Sequence, residues 1–190
     1  DRSILLENAG ATAALTLNDG SSGADETHAT GFAGSIGGTG DIVYNWNKTT
    51  NAVQRHVFSG DTSAWSGKFI NENCGTMSML VEFTKAGDVF SSTVDGGGVL
   101  NNNVNATNGI MTVKFNSTGA IDFYGTVGKK AGATATGIEV AQNHETLHKD
   151  VNVDSVTVAA GASATVNATL TAADTVQLGD AAIIRAKQDS

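Results

Sequence analysis

The pentapeptide HETLH has the most definite chemical signature in the chain, because His144 and His148 stand four residues apart with Glu145 between them. On an α-helix that spacing puts both imidazoles on one face, where they bind zinc while the glutamate acts as general base. Asp154 stands where some peptidases of this pattern carry a third ligand, but Val151 occupies the position such motifs give to glycine. The chemistry needs a helix, and Gly137 and Val151 bound one short segment, near 139–150, that the sequence predicts as helical. No second amphipathic helix is available to support it, so HETLH reads as a solvated connector and a zinc hydrolase ranks third among the functional readings. No catalytic residue, metal site or cofactor is expected.

The remaining chemical candidates are weaker. GGTGD at 37–41 is close to a calcium-binding glycine repeat, but Asp41 arrives one residue early and no second copy follows. It is not a phosphate loop, since no GK[ST] follows. His28, His56, His144 and His148 and many serines are present without a G-x-S-x-G elbow. Asp25 and Glu26 form a carboxylate pair in a polar loop. Asn47, Asn105, Asn116 and Asn167 open N-x-[ST] sequons and mark surface turns. Tyr44, Trp46 and Trp65 offer either an aromatic platform for sugars or filling between layers. Cys74, the single cysteine, cannot close an internal disulfide and reads as a small buried residue.

The bulk composition bounds the partners. Eleven basic against 19 acidic residues give a net charge of −8 with no Lys/Arg cluster, which argues against nucleic acid and disfavours anionic membranes as targets. No run approaches a membrane span and DRSILLENAG lacks the layout of a signal peptide, so no membrane insertion is expected in this segment. With 190 residues the chain is expected to form one domain, 1–128 carrying all the aromatics and 129–190 an Ala/Val/Thr-rich continuation.

What positions these residues is β-structure, because apolar and polar residues alternate in short runs while helical periodicity is almost absent. In MSMLVEF, Met77, Met79, Val81 and Phe83 share a face; in IMTVKF, Met111, Val113 and Phe115 do; in AIDFYGTV, Ile121, Phe123 and Val127 do. DVNVDSVTV changes face at Asp154-Ser155, which predicts a bulge or bend. Clusters of Gly, Asn, Asp and Ser separate the runs, KKAGATATG at 129–137 is read as a boundary or long turn, and 23 glycines stand against no proline. The pattern predicts an all-β fold, a sandwich, barrel or solenoid, and stacked rungs would set Asn101, Asn102 and Asn103 as a corner ladder.

Three phrases then carry a family likeness. DRSILLENAGATAALTLN, FAGSIGGTGDIVYNW and FSGDTSAWSGKFI resemble the autotransporter-associated β-strand repeat of bacterial surface passenger proteins. The matching positions are Asp1, Arg2, Ile4 and Leu6; Phe32, Gly34, Ile36, Gly38 and Gly40; and Phe58, Ser59, Gly60, Asp61, Trp65, Gly67 and Phe69. The stretch VTVAAGASATVNATLTAADTVQL is similar in style, with Val156, Val158, Val166 and Leu170 as inward positions. The resemblance covers residues 1–70 and, loosely, 150–178; residues 71–149 depart from it. It implies a right-handed parallel β-helix on a bacterial cell surface or outside the cell. The expected role is a non-enzymatic stalk, spacer or adhesive passenger, a piece of a longer chain, with loops 18–30, 47–54 and 129–149 protruding. Expected partners are copies of itself, surface proteins or glycans; the alternative role is a filament subunit joined through edge strands such as 3–6 or 175–185.

Overall fold

A computed structural model of the chain describes residues 2–7, 15–18, 28–47, 52–104 and 109–186. These form strands and turns with no helix. The first rung holds β1 (Ile4–Leu6), β2 (Leu15–Leu17) and β3 (His28–Phe32), and the second β4 (Ile36–Gly38), β5 (Ile42–Asn45) and β6 (Val53–Phe58). The third is β7 (Ala64–Trp65), β8 (Lys68–Asn73) and β9 (Ser78–Phe83), and the fourth β10 (Gly87–Val89), β11 (Gly98–Asn101) and β12 (Met111–Phe115). The fifth holds β13 (Ile121–Phe123), β14 (Thr126–Lys129) and β15 (Thr136–Val140). Each strand pairs in parallel with its counterpart on the next rung, except that β7 and β10 are unpaired at a break bridged by the Ser91 N–H donating to the Trp65 carbonyl at 2.9 Å.

The result is a parallel β-helix with three faces, and the β-sandwich alternative falls because every pairing among the described residues is parallel rather than a hairpin. After the fifth rung the cross-section changes. β16 (His144–Leu147) continues the first face, but β17 (Val151–Val158) serves the other two: Val151 pairs with Val127 of β14, and Ser155 to Val158 pair with Gly137 to Val140 of β15. The corner that residues 130–135 occupy one rung earlier has shrunk to Asp154-Ser155, where the face change was expected. Asp154 stabilises that junction, its Oδ2 accepting the Thr136 N–H at 2.7 Å and its Oδ1 the Lys129 ammonium at 2.5 Å. β18 (Ser163–Val166), β19 (Leu170–Leu178) and β20 (Ile183–Ala186) repeat the merged layout, β19 pairing with β17 through a register shift at the same point.

Stacking in register makes the core a set of columns. Phe32, Phe58, Phe83, Phe115, Val140, Val158 and Leu178 occupy one position on successive rungs. The rings lie 4.7, 5.1 and 6.2 Å apart along the column, all stacked. Met79 and Met111 adjoin in a second column, Val81, Val113, Ile138 and Val156 in a third. All the alternating residues read as inward from MSMLVEF, IMTVKF and DVNVDSVTV are buried. AIDFYGTV is corrected: Ile121, Phe123 and Val127 are all buried, but Tyr124-Gly125 is a corner, so Val127 sits on a different face. At the corner between third and first faces the rungs approach so closely that a Cβ on Gly60 would lie 1.9 Å from the Gly34 carbonyl oxygen.

Phe83 is 1% exposed and touches Phe58, Phe90, Phe115 and Phe123. Phe83→Ala is expected to lower the unfolding free energy by about 3–5 kcal/mol, measured by denaturant titration, because four rings cannot close around the void.

Candidate functional site

HETLH forms a strand, not the expected helix over 139–150. The 139–150 segment is the end of β15, a turn and β16, and HETLH spans β16, so His144 and Thr146 face outward while Glu145 and Leu147 point into the core. Alternation overrides the motif: Leu147 completes the column above Phe123, and Glu145 takes the position above Ile121. The two imidazoles then bind different partners. His144 Nδ1 lies 2.8 Å from the Ser163 hydroxyl, and Nε2 3.3 Å from that of Thr165. His148, past the strand end, sets Nε2 3.0 Å from Asp122 Oδ1 and Nδ1 3.3 Å from Asn167 Nδ2. Its ring stacks on Tyr124 with centroids 4.2 Å apart and planes 8° from parallel. Among the described residues no three His, Cys, Asp or Glu side chains converge as metal ligands.

Glu145 is buried with one oxygen satisfied. Oε2 accepts the Ile121 N–H at 2.8 Å, while Oε1 has no hydrogen-bond partner within the protein. Loss of hydration pushes its carboxyl up to about 8; the Ile121 N–H opposes this and nearby Asp122 adds to it. At neutral pH the group is a neutral acid. Glu82 shows the contrast: it is 1% exposed, but Arg55 donates to its Oε2 from Nε at 2.8 Å and from Nη2, and Asn116 to its Oε1 at 2.7 Å.

A second buried polar group lies at the corner between the second and third faces. Asn71 donates to Asn101 Oδ1 at 3.0 Å, and Asn101 Nδ2 donates to the Thr136 hydroxyl at 3.0 Å and the Thr134 carbonyl at 3.1 Å. Asn103 donates to the Gly75 carbonyl at 3.0 Å and to Cys74 Sγ at 3.1 Å. These bonds satisfy carbonyls that the turn takes out of the ladder, and burial pushes the Cys74 thiol up, away from thiolate reactivity. The expected asparagine corner is present through Asn101 and Asn103, while Asn102 points outward to Glu72 at 2.8 Å.

The other candidates resolve one by one. Asp41 Oδ1 accepts the Lys68 N–H of the next rung at 2.8 Å, so the GGTGD carboxylate holds a corner. Tyr44 and Trp65 are buried at 1% and 0%, which removes the aromatic platform proposed for them with Trp46. Trp65 instead packs between Phe58 and Phe90 and donates its indole N–H to the Gly40 carbonyl at 2.9 Å. His56 is buried between Tyr44 and Phe69. Residues 129–149 are not a protruding loop: they contain β15 and β16. Asn47, Asn116 and Asn167 lie just beyond strand ends, whereas Asp25, Glu26 and Asn105, with residues 19–27 of loop 18–30 and 48–51 of loop 47–54, lie outside the described residues.

Sequence reasoning missed the corner of Tyr124, His148, Asp122 and Asn167. Its signal was register: Tyr124 and His148 each follow an inward residue, Phe123 and Leu147, that pair with each other. No family model matches the chain, and no curated protein or solved structure matches it either.

Because the folded Glu145 holds its proton to about pH 8 while an unfolded glutamate releases it near 4.5, the native state binds more protons between those values. Its contribution is therefore full below about pH 4.5, declines as pH rises towards 8 and is lost beyond it. Urea unfolding from pH 5 to 9 is expected to show this fall, on the order of a few kcal/mol, and Glu145→Gln to flatten it.

Proposed function

We propose that this chain is a non-enzymatic structural and adhesive β-solenoid segment of a bacterial cell-surface or secreted protein, a stalk or spacer that makes contacts from its corners. The observation that carries this reading is the uninterrupted column from Phe32 to Leu178, a single inner position filled on seven successive rungs. A parallel ladder rising about 4.8 Å per rung resists bending because the second and third faces are bonded along the axis from rung to rung, and each rung touches only its neighbours. The likeness of residues 1–70 to autotransporter-associated repeats supports the bacterial surface setting.

A second reading, a filament subunit, draws on Val176 and Leu178 of β19, which occupy inner columns yet are 55% and 49% exposed. Pairing of that edge with another copy would cover them. It predicts an oligomer size that grows with concentration in sedimentation, against a constant monomer for the stalk.

For the stalk, single molecules pulled from attachment points at residues 2 and 186 are expected to unravel rung by rung, each step releasing roughly 80 Å of chain. Collapse in one step at low force would remove the mechanical reading. Hydrolysis of a polysaccharide by the purified chain, lost in Asp122→Asn, would overturn its non-enzymatic part.

A further inference from the structure

The solenoid opens at one corner, and the cause lies in one residue's backbone. Phe90, Tyr124, His148 and Asn167 follow paired residues and so occupy equivalent places on successive rungs. Phe90 has φ of +64°, a left-handed conformation that bulky residues rarely adopt. Its ring turns inward instead of continuing the outer stack: it is fully buried, 4.9 Å from Trp65 and 5.5 Å from Phe123. Glycines make the room, since a Cβ on Gly97 would lie 2.7 Å from Phe90 Cβ and one on Gly125 2.6 Å from its Cδ2. Among the described residues no ring on the preceding rung covers Tyr124, and the chain detours through 91–97.

The detour leaves a cleft of about 370 Å³ walled by Lys68, Asp95, Gly96, Tyr124, Thr126 and Lys149. His148 backs one face of the Tyr124 ring, and Asp122 and Asn167 hold His148, so the surface presented to the cleft is preorganised. The polar wall is rich in donors: two ammonium groups and the Thr126 hydroxyl. Lys149 bonds Asp95 at 2.7 Å, but that aspartate is 89% exposed, and so open a pair exchanges partners at little cost.

We propose that this cleft binds a carboxylated saccharide, a hexuronate unit stacked on Tyr124 with its carboxylate drawn to Lys149 and Lys68. A sugar ring offers an apolar C–H face to an aromatic surface and hydroxyls to a polar rim. A neutral sugar leaves the ammonium groups unused, and a simple anion leaves the ring unused; a uronate engages both. The chain's net charge of −8 gives no long-range attraction for an anion, so recognition is confined to this corner. The inference rests on the adhesive reading and names its ligand.

The test is a titration of the ¹⁵N-labelled 190-residue chain with trigalacturonate, in parallel with neutral galactotriose and with inorganic phosphate, at physiological salt. Trigalacturonate is expected to shift the resonances of Tyr124, His148 and Gly96, with galactotriose binding roughly tenfold more weakly and phosphate leaving the corner unmoved. Tyr124→Ala and Lys149→Met should each weaken binding about tenfold or more, and Lys114→Met, on the third face, should not change it. Lys149→Met alters only an exposed side chain, so it decides the matter even if Tyr124→Ala fails to fold. Absent shifts at the corner, equal affinity for the neutral trisaccharide, or the same shifts with phosphate would overturn the proposal. Failure to bind by a chain that still unravels rung by rung removes the ligand and leaves the stalk standing.

Discussion

The axial spacing between rungs governs the molecule. Backbone hydrogen bonds fix it near 4.8 Å, and each inner side chain must then match the residue directly above and below it rather than a nearby volume. Phenylalanines stacked 4.7 to 6.2 Å apart meet that demand in the first four rungs. From the fifth rung the column narrows to Val140 and Val158. Smaller inner residues accompany a smaller cross-section, because β17 joins two faces that were separated by a turn one rung earlier. The end of the aromatics at Tyr124 and the loss of a corner at Asp154 are thus two aspects of one change in girth.

The same spacing decides which polar groups can be buried. A turn that swings backbone groups out of the ladder must find them other partners: Asn101 and Asn103 donate to freed carbonyls and Asp154 accepts a freed N–H, each from a neighbouring rung. Carboxyl groups follow a stricter rule, since a buried charge needs partners on both oxygens. Glu82 has them from Arg55 and Asn116, whereas Glu145 has a single N–H and keeps its proton. Glu145 still stands on the inner face because the strand period assigns it there, between Ile121 and Ala164.

That period is also what made much of the fold readable. Every second residue from Met77 to Phe83 and from Met111 to Phe115 is apolar and inward, and the change of face in DVNVDSVTV sits where the register shifts. HETLH misled because a polar residue at an inward strand position looks the same as one on a helix. The Ile121 N–H that receives Glu145 comes from 24 residues earlier and leaves no local mark. Tyr124-Gly125 was read through as strand for a related reason: alternation continues across a corner when both flanks point inward. The candidate corner itself was invisible, because it depends on which residues share a column and on the sign of one φ angle at Phe90.

A regular solenoid has little means of being specific, since its faces repeat the same shallow relief on every rung. Selectivity must come from departures in the repeat, and departures carry a conformational cost that the neighbouring rungs have to sustain. Phe90 is such a departure: its left-handed backbone is held by burial of the ring among Trp65, Phe83 and Phe123, so core packing sustains the strain. The core gains an additional aromatic at the point where the first face is broken between β7 and β10. What the outer surface loses there, a ring over Tyr124, becomes a cleft with a rigid wall. Core packing and surface shape at this corner are consequently not separable, and a substitution at Phe90 acts on both.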